Sequence, residues 1–295
     1  MGILSATSAV SNLGFTLGSI MVEIPAVHSF REYIAKISVP TTYVPIRTSS
    51  DELDIRNVTV RYAESTRPAV NNFSLTVHKG EMIAIVGANG AGKTSLVNAL
   101  IGLAPMASGQ ITIDGSPITA LGPEERLSYF GVLNQDYGRY EITVRENLRM
   151  GSRHALSDEE YWLSLDFTNA SGFVRELPDG LDTLLGEQWG GAGLSGGQWQ
   201  RLALSRIILR NAGIWLLDEP TSAIDAETEE EIFQFLSKNR NDRIIIVVSH
   251  RSWTLKAMDR IYVMKQGSLL QVGSYKELLS QPNGEFSRMF RSQRD

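Results

Sequence analysis

An α/β fold with a mainly parallel sheet is predicted by three features of the chain. The apolar run Met82 to Val86 leads into a glycine-rich loop at 87–94 and then into an apolar-periodic segment from Ser95 to Leu103. That order is strand, loop, helix. Ile244 to Val248 is unbroken and β-branched, as strands in the middle of a parallel sheet are. Leu53 to Val60 and Val70 to Val77 instead alternate apolar and polar residues, as half-buried strands of a small antiparallel sheet do. From about 136 to 193 the pattern is mostly helical, which predicts a separate helical unit inserted between two core strands.

Composition sets outer bounds. A chain of 295 residues forms one large domain or two small ones. With 42% hydrophobic and 21% charged residues it can bury an ordinary globular core. The formal net charge of −5 gives no footprint for nucleic acid, so no nucleic-acid partner is expected. Without cysteine there is neither a disulfide framework nor a thiolate metal site. No internal repeat has a solenoid period.

The first 22 residues contain no Asp, Glu, Lys or Arg and carry Gly14 and Gly18 as a small-xxx-small pair. They lack the basic start of a secretory signal and are too polar for a plain membrane span. The glycine spacing nevertheless suits packed membrane helices. Ala26, Val27, Phe30, Tyr33, Ile34 and Ile37 then form one helical stripe. Pro40, Pro45 and the intervening Ser and Thr residues read as a linker ending near Ser50. Residues 1–48 are therefore either a leader with one amphipathic helix or the trailing end of a membrane domain. The folded domain is expected over 49–295.

The loop Gly87-Ala88-Asn89-Gly90-Ala91-Gly92-Lys93-Thr94 carries the clearest chemistry. Glycines let successive backbone N–H groups turn toward an anion. The helix that follows presents its unpaired N–H groups and positive dipole end to the same anion. Lys93 reaches β- and γ-phosphates, and the Thr94 hydroxyl is a Mg²⁺ ligand. Ser95 continues the same nucleotide-binding stretch. Upstream, Tyr62 closes the first alternating strand. Downstream, Asp114-Gly115 ends a strand at Ile111–Ile113 and reads as turn chemistry. A strand from Tyr129 to Leu133 precedes Gln135.

Within the helical stretch, helices are predicted at Thr143–Met150, from Ser157 onward with an acidic first turn, and at Ser171–Leu177. Ser195 and Gln198 fit a capping box for a helix running to about Arg210. Gly196 and Gly197 weaken a first turn, so a second anion site at this helix start is the competing reading. The buried strand Ile214–Leu217 stops at Asp218-Glu219, two carboxylates that are costly unless they meet a cation or face a cleft. Adjacent strand residues point to opposite faces. Asp218 thus suits Mg²⁺ binding, and Glu219 suits polarising a water; an exposed acidic strand end is the alternative. Asp225 is placed to cap the helix at 226–238. His250 ends the β-branched strand, where α/β sheets place their ligands, and is a candidate for the γ-phosphate side of the site. Late strands at Ile261–Met264 and Ser268–Val272 precede a capping box at Ser274.

Taken together, from about Leu53 to Phe290, these stretches resemble the nucleotide-binding domain of ATP-binding cassette proteins. Gly87–Thr94 resembles the Walker A motif, Gln135 the Q-loop and Leu194–Gln198 the signature motif. Ile214–Asp218 with Glu219 resembles Walker B and its catalytic glutamate, Ser222–Asp225 the D-loop, and His250 the H-loop. Tyr62 lies where the family's adenine-stacking aromatic lies. The resemblance implies a P-loop NTPase core with a mainly parallel sheet, an antiparallel β subdomain and a helical subdomain. It implies ATP and Mg²⁺ as ligands. Gln135 would serve as a catalytic-site residue and a Mg²⁺ ligand beside Thr94 and Asp218.

The finer resemblance is to the exporter class, in which Gly186-Glu187 would contact transmembrane domains. Here the gap from Glu187 to Leu194 is longer than the common pattern, and Trp199 replaces a usually polar residue and is expected to pack on a neighbouring surface. The class implies a second nucleotide-binding domain, in a homodimer or heterodimer, with ATP held between the Walker A motif of one subunit and Ser195–Gln198 of the other. It implies a transmembrane domain as partner, a place at the cytoplasmic face of the cell membrane, and ATP hydrolysis that drives transport. The alternative is a non-transport cassette ATPase of DNA maintenance or translation. Against it, only a compact helical insert separates Lys93 from Ser195, and a single cassette is found.

Overall fold

The computed structural model describes residues 44–152 and 154–290. The Gly14/Gly18 pair, the 26–37 stripe and Pro40 lie outside the described residues. The chain builds two sheets. The first is antiparallel, in the order β2-β1-β4-β5, from β1 (Glu52–Val60), β2 (Val70–His78), β4 (Met106–Ile113) and β5 (Ser116–Pro117). The second has β3 (Met82–Val86), β6 (Phe130–Leu133), β7 (Ile214–Asp218), β8 (Ile244–Val248), β9 (Arg260–Lys265) and β10 (Ser268–Gly273), in the order β10-β9-β3-β8-β7-β6. Every pairing in it is parallel except that of β10 with β9. The expected mixed architecture is the observed one.

The parallel strands are apolar throughout because both faces are covered. On β3, Ile83 and Ile85 face a core shared with the antiparallel sheet, while Met82, Ala84 and Val86 face the other side. On β8 the same alternation sends Ile244, Ile246 and Val248 one way and Ile245 and Val247 the other. One layer holds the helix α1 (Lys93–Ile101) and the antiparallel sheet. The opposite layer includes α6 (Gly196–Arg210) and α7 (Ala226–Lys238). Short helices α2 (Pro123–Ser128), α8 (Tyr275–Leu279) and α9 (Glu285–Phe290) complete this body.

The helical unit comprises α3 (Val144–Arg149), α4 (Asp158–Phe167), α5 (Ser171–Glu176) and the first turns of α6. Leu148, Tyr161, Leu165, Val174 and Leu202 form its core. Trp199 is buried there at 6% exposure, so the surface it packs on belongs to its own helical unit. The next two turns of α6 place Leu204 and Ile207 in the sheet's core. One helix therefore belongs to both units.

Three local features depart from the sequence pattern. The strand expected at Ile111–Ile113 begins at Met106, because its exposed half at 107–110 is polar and shows no apolar alternation. Asp114, in the left-handed region at φ 50°, also accepts hydrogen bonds from the Asp51 and Glu52 N–H groups at 2.7 and 3.0 Å, tying the turn to β1. Arg47, before the expected domain start, already belongs to this packing: its N–H donates to the Ser128 carbonyl (3.0 Å), and the Gly213 N–H donates to its carbonyl (2.7 Å). Among the described residues no helix is long and apolar enough to cross a membrane.

The strand order puts the C-terminal ends of β3, β8 and β7 side by side, and the core at their centre should carry much of the stability. Ile246, 1% exposed, tests this. Ile246→Ala should destabilise the fold by about 2–5 kcal/mol, read as a lower urea midpoint at unchanged slope. A shift under about 1 kcal/mol would show that this layer is not the folding core.

Candidate functional site

The site forms where three strand ends meet. After β3 the chain turns through 87–92 and enters α1. Gly92, the N-cap of α1, has φ 101°, and a Cβ there would sit 2.2 Å from the Ala69 carbonyl oxygen. Only glycine fits that approach. No side chain caps α1 and no acidic residue lies in its first turn. Its N-terminal N–H groups are thus left for an anion.

Lys93 is 8% exposed, and its ammonium donates to the Gly87 and Ala88 carbonyls at 2.7 and 3.2 Å. Burial lowers its pKa, and the charges of Asp218 and Glu219 act against that shift. A cavity of about 320 Å³ opens over the loop, lined by residues 89–95 with Ala69 and Gln135. The Tyr62 hydroxyl donates to Ser95 Oγ at 3.4 Å, which places a partly exposed ring beside this cavity.

At the end of β7, Asp218 is 3% exposed and accepts a hydrogen bond from the Thr94 hydroxyl at 3.2 Å. Burial raises its pKa, the Thr94 hydrogen bond opposes that, the neighbouring Glu219 charge adds to it, and the Lys93 charge opposes it. Thr94, Asp218 and Gln135 offer hydroxyl, carboxylate and amide oxygens. Those are hard donors, and Mg²⁺ is commonly bound through one or two carboxylates plus substrate phosphates. The donor set therefore fits Mg²⁺.

Glu219 has a left-handed backbone, φ 48°, and its N–H donates to the Val248 carbonyl at 2.9 Å. Its Oε1 lies 3.2 Å from His250 Nε2. Burial lowers the His250 pKa, the Lys93 charge adds to the shift and the Glu219 charge opposes it. That direction favours the neutral imidazole.

The phosphate loop, Tyr62, Gln135, Asp218, Glu219 and His250 are thus drawn around the ends of β3, β7 and β8. Ser195, Gly196, Gly197 and Gln198 do not line the loop cavity. The capping box is present: the Gln198 N–H donates to Ser195 Oγ (3.2 Å), and the Ser195 N–H donates to Gln198 Oε1 (2.8 Å). Asp225 caps α7 through the Thr228 N–H at 2.9 Å.

A supporting pair escaped the sequence pattern. Glu229 is fully buried and accepts from Thr254 Oγ1 at 3.1 Å, from the Thr221 hydroxyl and from the Arg251 guanidinium. Arg251 in turn donates to the Ser222 carbonyl at 3.2 Å. The pair ties the residue after His250 to the turn after Glu219. In sequence, Glu229 is one member of the acidic run at 227–231 and carries no mark of its burial.

Comparison with known proteins places this geometry. The family model "ABC transporter" matches residues 70–222. An ATP-dependent lipid A-core flippase of Methylobacillus flagellatus is 36% identical over 275 residues, 93% of this chain and 47% of that protein. An uncharacterized ABC transporter ATP-binding protein of Haemophilus influenzae is 35% identical over 84% of this chain and 41% of that protein. A bacterial Atm1-family ABC exporter with ATP bound superposes with a TM-score of 0.78 at 30% identity, over 87% of this chain and 44% of that one. The chain spans less than half the length of these relatives. Because the matched stretch holds the phosphate loop, Gln135, the Ser195 helix start and the Asp218-Glu219 strand end, this chain belongs to the ABC transporter family.

Proposed function

We propose that this chain is the ATP-binding and ATP-hydrolysing motor of an exporter. The observation that carries the reading is the convergence of an uncapped phosphate loop with the Glu219–His250 pair at adjacent strand ends. A phosphate site alone would only bind. A carboxylate set 3.2 Å from an imidazole beside it adds a proton acceptor.

The backbone N–H groups of the loop and the Lys93 ammonium bind the triphosphate, and the Tyr62 ring stacks on the base. Mg²⁺, held by Thr94, Asp218 and Gln135, would neutralise charge on the β- and γ-phosphates. Glu219 accepts a proton from the water that attacks the γ-phosphorus, while the bond to the β–γ bridging oxygen breaks. ADP and inorganic phosphate are the products. His250 Nε2, 3.2 Å from Glu219 Oε1, holds that carboxylate in place.

The Ser195–Gln198 helix start does not line its own loop cavity, so it suits an ATP bound to a second copy or a related domain. ATP between two such domains holds them together, and its hydrolysis loosens them. Gln135, at the junction of sheet and helical unit, then reports nucleotide state to a transmembrane partner at the cytoplasmic face of a membrane. In this reading the stretch 1–48 leads from that membrane domain into the folded body, which it has joined by Arg47. The relatives' names, flippase and exporter, support transport as the output.

Glu219→Gln keeps the shape and removes the base. It should bind ATP yet hydrolyse it at least ~10²-fold more slowly, in line with general-base contributions. Phosphate release at the wild-type rate would refute the assignment. Tyr62→Ala should weaken ATP binding roughly 5- to 150-fold at little change in saturated turnover, the equivalent of one base–aromatic stack. Unchanged affinity in a titration would leave Tyr62 a packing residue.

A further inference from the structure

We infer that Gln200 is a positioning residue for the hydrolysis proposed above: its side-chain amide holds the Glu219 backbone in place and links it to the start of α6. Glu219 adopts φ 48°, a conformation that non-glycine residues hold only where their surroundings fix it. Four contacts fix it here, one of them the 3.3 Å bond that its carbonyl accepts from the Ser222 N–H. Its N–H donates to the Val248 carbonyl at 2.9 Å. Its carboxylate meets His250 at 3.2 Å. Its carbonyl accepts from Gln200 Nε2 at 2.8 Å.

Gln200 is 2% exposed, so its amide must find partners inside the protein. All of them lie in the turn at 219–223. Nε2 also donates to Ser222 Oγ at 3.2 Å, and Oε1 accepts from the Ala223 N–H at 2.9 Å. A side chain so directed at one turn does more than fill space, because an apolar isostere would pack as well and hold nothing. Gln200 sits in the second turn of α6, just past Gly196 and Gly197. A Cβ on Gly197 would lie 2.6 Å from the Ala223 carbonyl oxygen, so the helix start and the turn are in backbone contact. A shift of the α6 N-terminus therefore reaches the Glu219 carbonyl through one amide. On the far side the turn is held independently, by Arg251 on the Ser222 carbonyl at 3.2 Å. Loss of Gln200 then leaves the Glu219 carbonyl only its longer bond from the Ser222 N–H (3.3 Å) and leaves the turn standing.

The inference rests on the hydrolytic reading and is tested in the full chain with Gln200→Met, which loses all three hydrogen bonds, and Gln200→Glu. The glutamate keeps the acceptor for the Ala223 N–H and loses the donor to the Glu219 carbonyl. Both should lower saturated ATP turnover roughly 10- to 100-fold, the scale of a misplaced catalytic group. KM for ATP should stay within about twofold, because the phosphate loop is untouched. In a Glu219→Gln background the same changes should cost nothing further, since there is no base left to position. Turnover reduced less than about tenfold in both variants, or the same fold loss with and without Glu219, would overturn the role. A wild-type chain without ATPase activity would instead sink the hydrolytic reading itself.

Discussion

A buried ammonium governs this molecule. Lys93 is held by two carbonyls of its own loop, and burial depresses its affinity for the proton. Such a group is costly without an anion close by. Asp218 and Glu219 offset part of that cost from a neighbouring strand. In the proposed function a polyphosphate entering at the uncapped start of α1 would offset the rest. The loop conformation, the strand order and the two carboxylates make sense around that one charge. Asp218, bonded to Thr94, sits against the loop, whereas Glu219, turned aside by its left-handed backbone, meets His250.

The sheet supplies this arrangement through topology. Neighbouring parallel strands all end on the same edge, so β3, β8 and β7 deliver the phosphate loop, His250 and Asp218-Glu219 to one place. α6 carries the arrangement outward. Its first turns pack Trp199 and Leu202 into the helical unit, its later turns pack Ile207 against the sheet, and between them Gln200 bonds to the turn after Glu219. A helix shared in this way ties the helical unit to the turn after Glu219.

Much of this was legible in the sequence because the relevant physics is local. A glycine loop between an apolar strand and a periodic helix reads directly, as does a buried strand that ends in two carboxylates. The capping boxes at Ser195 and Ser274 are four-residue patterns and stand as read. What escaped depends on distant partners. Glu229 resembles its exposed acidic neighbours until Thr221, Thr254 and Arg251 are folded against it. Gln200 looks like any polar residue on an amphipathic helix. The left-handed backbone of Glu219 has no sequence signal, since glycine and asparagine are the residues expected there. The docking of Arg47 between Ser128 and Gly213 was hidden inside a stretch whose prolines read as linker.

The central claim is that the Lys93 loop is a triphosphate site whose charge is completed by the ligand. Calorimetric titration of MgATP into the wild-type chain and into Lys93→Met tests it most directly. Loss of charged hydrogen bonds worth about 1.5–3 kcal/mol each should weaken binding by at least tenfold. Because Lys93→Met also leaves the Gly87 and Ala88 carbonyls and the buried Asp218 without that ammonium, the variant's fold is confirmed by circular dichroism before the titration. Equal affinity in the two proteins would contradict the account.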